Sequence, residues 1–176
     1  MVTEHTVLSA VGPDRPGLVQ EVSEFVLDRG GNIADSRMAN LRGQFTIMML
    51  VAGSPDTVAR LGGDAATLAA QTGLQVWLTP AAPEDVEAER SEQYRLTGSA
   101  LDQAGLVHEV AGVLRLFGVN IESMETELEA APETGAPIFA MAIVLSVPPA
   151  VAPEQLRSEL TRACDALNID WQLERL

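Results

Sequence analysis

Two five-residue stretches, Asp14-Arg15-Pro16-Gly17-Leu18 and Asp102-Gln103-Ala104-Gly105-Leu106, stand 88 positions apart and hold the groups in this chain best suited to chemistry. That chemistry is anion capture. A strand that runs through a glycine into a helix offers unpaired backbone N–H groups and the positive end of the helix dipole, and a carboxylate is attracted to both. Glycine also leaves no Cβ in the path of a ligand or a neighbouring backbone. Asn32 and Asn120, again 88 apart, open the strand after each helix with an amide able to hydrogen-bond a small polar molecule, and Ile33 and Ile121 follow them. Two roles are open to most of these side chains. Asp14 and Asp102 either face a ligand or cap their helices, Asn32 and Asn120 either face a ligand or shape the turn, and Arg15 either pairs with a carboxylate or lies on the surface. The second stretch lacks the proline and the arginine, which makes the first the stronger candidate.

Other chemistries find little support. No serine or cysteine has a recognisable base beside it, and the carboxylates of Glu87 and Glu89 fall in a polar stretch where nothing would desolvate them. His5 and His108 have no ligand-like spacing to each other or to Cys164, so no metal is expected. The chain contains no lysine, which removes both a phosphate-loop lysine and a Schiff base. These absences point to a protein that is not an enzyme and needs no cofactor. A net charge of -14 disfavours direct nucleic-acid binding, which relies on clustered cations. The longest apolar stretch, 138–147, is about half of a bilayer span, so no membrane association is expected. One cysteine cannot form an internal disulfide, and the first residues show no secretory pattern, which together suggest a cytoplasmic protein.

The elements that position these stretches are themselves repeated. Residues 6–38 recur at 94–126, matching Gly17-Leu18-Val19 with Gly105-Leu106-Val107, Gly30 with Gly118 and Asn32-Ile33 with Asn120-Ile121. Past a longer second hairpin loop, an offset of 94 places Phe45 over Phe139 and Trp77 over Trp171. In each copy a short β-rich segment leads to a helix with an apolar face, namely Leu18, Val22, Phe25 and Val26 or Leu106, Val110, Val113, Leu114 and Phe117. Asp14 is placed to cap the first of these, with Pro16 in its opening turn. A hairpin, a second helix and a last strand follow, and Gly62-Gly63 predicts a break in the second helix of the first copy. The alternation of Glu125, Glu127 and Glu129 with Met124, Thr126 and Leu128 predicts a strand covered on one side, with a solvated acidic face. Each copy therefore reads β-α-β-β-α-β, an α+β class with antiparallel sheets carrying helices on one face. The expected domains are 1–80 and 93–176, joined by a proline-bearing acidic linker at 81–92. The uncovered face, with Met49 and Val51 expected on it, calls for a partner surface.

The motif V-G-P-D-R-P-G-L-V-Q-E-V, with G-G-N-I at the helix end, resembles an ACT domain, the small-ligand regulatory module of amino-acid metabolism. The second copy resembles one too, and the pair is similar to the glycine cleavage system transcriptional repressor family. The resemblance implies two ferredoxin-like ACT domains that pair with a ligand at their seam. It also implies a small amino-acid ligand, glycine among the candidates, a regulatory protein partner such as a transcription regulator, and assembly into a homo-oligomer. The family's ligand positions fall here on Asp14, Arg15, Pro16, Gly17, Leu18, Asn32 and Ile33, and on Asp102, Gly105, Leu106, Asn120 and Ile121. An interaction module that needs no ligand is the alternative, presenting the acidic surface to a basic partner.

Overall fold

A computed structural model describes residues 2–81, 91–132 and 134–176, and the chain divides into two compact units, Met1–Pro83 and Glu84–Leu176. The first unit runs β1 (Glu4–Pro13), α1 (Leu18–Asp28), β2 (Asn32–Leu41), β3 (Gln44–Gly53), α2 (Pro55–Gly63), α3 (Ala65–Thr72) and β4 (Gln75–Pro80). The second runs β5 (Glu92–Leu101), α4 (Leu106–Leu116), β6 (Asn120–Ala130), β7 (Pro137–Val147), α5 (Pro153–Leu167) and β8 (Asp170–Arg175). Both sheets are antiparallel, ordered β2-β3-β1-β4 and β6-β7-β5-β8, which is the split βαβ arrangement expected twice over. The last strand of one unit ends at Pro80 and the first of the other begins at Glu92. Most of the anticipated linker, including Glu87 and Glu89, lies outside the described residues.

Each core forms where helices cover one face of a sheet. In the first unit, Leu8 and Ala10 of β1 and Phe45, Ile47, Met49 and Val51 of β3 are buried against Leu18, Val22, Phe25 and Val26 of α1, with Leu61 and Leu68 from α2 and α3. The glycine pair does break the second helix. α2 stops at Gly63 and α3 restarts from Asp64, whereas α5, without glycines, runs unbroken for 15 residues.

Three local expectations do not hold in the folded chain. Met49 and Val51 do not lie on the open face; they are 2% and 0% exposed, and their neighbours Met48 and Leu50 point outward instead. Asp14 does not cap α1. Its carboxylate accepts a hydrogen bond from Asn40 Nδ2 at 2.5 Å, its N–H donates to Gly43 O at 2.8 Å, and the helix begins only at Leu18, after Gly17. Trp77 and Trp171 are not equivalent. Trp77 pairs with Ser9 on the open face, while Trp171 pairs with Gly98 on the core side. Because Ala10 matches Gly98 and pairs with Val76, the last strand resumes at an offset of 95, and a one-residue slip moves every side chain to the other face. Gly98 makes room for Met141 and Ile169 in this core, since a Cβ there would lie 2.7 Å from Met141 Cε and 3.1 Å from Ile169 Cγ2.

Cys164 packs in the second core with no exposed surface, and burial, assisted by Asp165, pushes its thiol up from 9.0 to about 11. Burial also raises the Tyr94 phenol, together with its hydrogen bond to Glu92. The native thiol is expected to react with a thiol reagent at pH 8 at least about 100-fold more slowly than the unfolded chain, the ratio of their thiolate fractions. The Cys164 shift is upward, so the stability it carries is complete below about pH 9 and is lost as pH rises towards 11, and the Tyr94 shift acts in the same direction from its ordinary value of 10.0 upward. Unfolding followed from pH 7 to 11 should therefore show the second unit failing first, and an unchanged profile would remove this assignment.

Candidate functional site

The two strand-to-helix turns have the same backbone despite different sequences. Gly17 stands at φ 95, ψ -13 and Gly105 at φ 100, ψ -7, both left-handed and both without a side-chain cap on the helix that follows. An ordinary L residue would be strained at that φ, so the glycine, rather than the adjacent proline, builds the turn. Backbone bonding in the helix begins at Glu21 N–H to Gly17 O in one copy and Glu109 N–H to Gly105 O in the other, each at 3.0 Å. The preceding amides of the first turn point out of the helix end. Ser54 shows the contrasting case, because its hydroxyl caps α2 by accepting from Thr57 N–H.

Side chains around the turns differ. Arg15 forms a two-pronged pair with Glu21, Nη1 to Oε1 at 2.5 Å and Nη2 to Oε2 at 2.8 Å. That hydrogen-bonded pairing lowers the carboxyl pKa of Glu21 and raises that of Arg15. It also sets Glu21 Oε1 3.4 Å from where a Cβ on Gly17 would sit, so the protein's own carboxylate stands beside the first turn. In the second copy the counterpart of Arg15 is Gln103, whose amide donates instead to Leu167 O at 2.9 Å. Nothing lies within 4 Å of a Cβ placed on Gly105. The second turn is thus the more open one, although it is the copy that lacks the proline and arginine.

The asparagines lie elsewhere. Asn32 and Ile33 line a groove of about 440 Å³ with Gln20, Ser23 and Glu24 of α1, and Asn120 and Ile121 line its counterpart of about 410 Å³ with Ala111 and Arg115 of α4. Each strand starts just beyond the C-terminal end of its helix. An 11-residue helix is about 16 Å long, so one copy holds its turn and its asparagine at opposite ends of that helix. Leu18 and Leu106 are buried at 1% and 2% exposure, and Ile33 and Ile121 pack on the two cores, so a ligand at the turn meets the leucines through their backbone N–H groups. Asp14, Arg15, Pro16 and Asp102 are exposed. Asp102 has no amide partner like that of Asp14, because the position of Asn40 is Leu128 in the second copy.

Arg115 is the residue that pattern reading overlooked. It replaces Leu27 at the groove, one turn before Gly118, and puts a guanidinium beside the Asn120 groove. An apolar-to-cationic exchange at one repeat position was the available signal. Asn120 Nδ2 meanwhile donates to Glu122 Oε1 at 2.7 Å. Among the described residues no group of three or more His, Cys, Asp or Glu side chains is placed to hold a metal, and no helix is long and apolar enough to cross a membrane.

A family model described as ACT domain matches residues 4–79. Over 50 residues, 28% of this chain, the sequence is 46% identical to the glycine cleavage system transcriptional repressor of Escherichia coli (strain K12), and equally to that of Shigella flexneri. The match spans 26% of the length of those relatives. Over nearly the whole length, a crystal structure of an unknown protein from Galdieria sulphuraria superposes with a TM-score of 0.83 at 27% identity, covering 99% of each chain. The crystal structure of a proposed glycine cleavage system transcriptional repressor superposes at 0.74, also at 27% identity, covering 100% of this chain and 99% of the other.

Proposed function

Since the chain is a tandem ACT-domain protein similar to the glycine cleavage system transcriptional repressors, we propose that it is a regulatory, non-catalytic, cytoplasmic protein that binds a small amino acid and thereby changes its contact with a protein partner. The observation that carries this reading is the repeated left-handed glycine at an uncapped helix start, retained at Gly17 and Gly105 while the flanking residues changed. An amino acid's carboxylate satisfies those amides. The proposed contacts are Asp14, Arg15, Pro16, Gly17, Leu18, Asn32 and Ile33, with Asp102, Gly105, Leu106, Asn120 and Ile121, joined by Arg115.

Because a turn and its own asparagine stand at opposite ends of a helix, a site using both takes the turn from one ACT domain and the asparagine from another. Ligand binding then favours one domain pairing over alternatives, and only such differential affinity transmits a signal. Glycine, a ligand with no side chain to accommodate, is the first candidate.

Calorimetry with the full chain and the twenty amino acids tests the reading, and heat from none of them would remove it. The Arg15–Glu21 pair adds a sharper expectation. An exposed pair of this kind is weak and screened by solvent, so Glu21→Gln, by freeing Arg15 for a ligand carboxylate, should tighten binding by at most about fivefold. A loss of affinity in that variant would assign the carboxylate itself to ligand contact. A ligand-independent interaction module is the second reading, favoured by the occupied first turn; capture of the same partner with and without added amino acids would support it.

A further inference from the structure

The two sheets expose unlike open faces. On the first, strand register aligns Val7, Val11, Met48, Leu50 and Trp77, with Met48 53% and Trp77 51% exposed. Arg37, on the edge strand beside Met48, is ion-paired with Asp35 at 2.5 Å. On the second sheet the positions of Met48, Trp77 and Arg37 are taken by Ala142, Gln172 and Glu125. Replacing large side chains by small ones leaves a hollow of about 570 Å³ floored by Ala140, Ala142 and Thr97. Its rims are Glu125 and Glu127 on β6 and Asp170 on β8. Repeat positions that protrude in one sheet are thus recessed in the other.

We propose that the first sheet's open face docks into the hollow of the second sheet in another copy of this chain. Met48 and Trp77 supply apolar bulk of the kind that anchors interfaces, and small floor residues leave room for it. Charge selects the same pairing. Two hollows facing each other would oppose carboxylate to carboxylate, whereas the first face brings to that acidic rim an Arg37 guanidinium balanced by Asp35 beside it, so no net like charge is opposed. A face of four strands about 4.8 Å apart and six residues rising about 3.3 Å each covers roughly 400 Å² in plan. One such contact supplies about half of the roughly 800 Å² per partner typical of stable interfaces, and two reciprocal contacts supply all of it.

Sedimentation velocity of the full chain, without added amino acid, tests the pairing independently of any ligand. The wild type should dimerise, and Met48→Glu and Ala142→Trp should each weaken the dimer at least about tenfold while circular dichroism stays unchanged. Arg37→Glu alone and Glu125→Arg with Glu127→Arg should each weaken it, and the three combined should recover it. A monomer at about 100 μM overturns the proposal. So does a dimer that Met48→Glu breaks but Ala142→Trp and the Glu125/Glu127 reversal leave intact, which would indicate first face on first face. Recovery by the charge exchange decides the matter even if one packing variant fails to fold.

Discussion

Gly17→Ala and Gly105→Ala, combined in one chain, are expected to lower amino-acid affinity at least about 100-fold, a loss of ~2.7 kcal/mol. The reason lies in the turn geometry. Hydrogen bonds from backbone amides to a charged carboxylate are worth about 1.5–3 kcal/mol each, and they require the anion to approach the first turn closely. A methyl group on the left-handed residue stands in that approach. At Gly105 it would meet nothing else within 4 Å, so its folding cost is the left-handed backbone alone, about 1–2 kcal/mol. Against a typical total of about 5–15 kcal/mol the variant should remain folded. Calorimetry together with far-ultraviolet circular dichroism separates the effects, and a folded double variant that binds like the wild type would mean that the turns do not hold the ligand. Single variants rank the copies, and the open Gly105 turn predicts the larger loss there.

Gly31→Val should strongly destabilise the first unit. A Cβ at Gly31 would lie 2.9 Å from Val26 Cγ1, 2.9 Å from Val51 Cγ1 and 3.2 Å from Val26 O. Both valines are buried, at 1% and 0% exposure, and their β-branched side chains have little freedom to turn aside. Overpacking of this kind costs about 1–3 kcal/mol, and at about 4–8 °C per kcal/mol in a domain of this size the melting shift is easily measured. The second copy shows the compensated version. Val119 occupies the equivalent position, and the residues facing it are Leu114 and Leu145, which branch one carbon farther out. Combining Gly31→Val with Val26→Leu and Val51→Leu should therefore restore much of the lost stability. If the triple variant melts no higher than the single one, the two cores are not built on the same exchange.

How much of the fold is legible in the sequence depends on how local the controlling physics is. The duplication, the helix faces, the break at Gly62-Gly63 and the outward Glu125, Glu127 and Glu129 all appear in the fold, but the other side of that strand is not covered as its alternation suggested: Met124 and Leu128 are 43% and 60% exposed, because no helix reaches over this edge strand. The inward face of β3 was not readable, because its middle is a continuous apolar run from Ile47 to Ala52 and period-2 alternation has no contrast there. Register against β1 decides that Met49 turns in and Met48 out. The tryptophans misled for a related reason. Aligning like with like hid the extra residue ahead of β8, and only the pairing of Trp171 with Gly98 exposes the slip. At the candidate site, the glycine turns followed from local chemistry. The tie from Asp14 to Asn40 spans 26 residues, and the pairing of Arg15 with Glu21 depends on how far the helix start has moved past Pro16. Neither is encoded in spacing alone.

The most direct measurement is a backbone amide NMR titration of the full chain with the amino acid that gives the largest calorimetric signal. Saturable shifts centred on the amides of residues 17–20 and 105–108, accompanied by the side-chain amides of Asn32 and Asn120, are the predicted result. Saturable binding that leaves both helix starts unmoved, or no binding by any of the twenty amino acids, would contradict an anion-holding role for the repeated glycine turns.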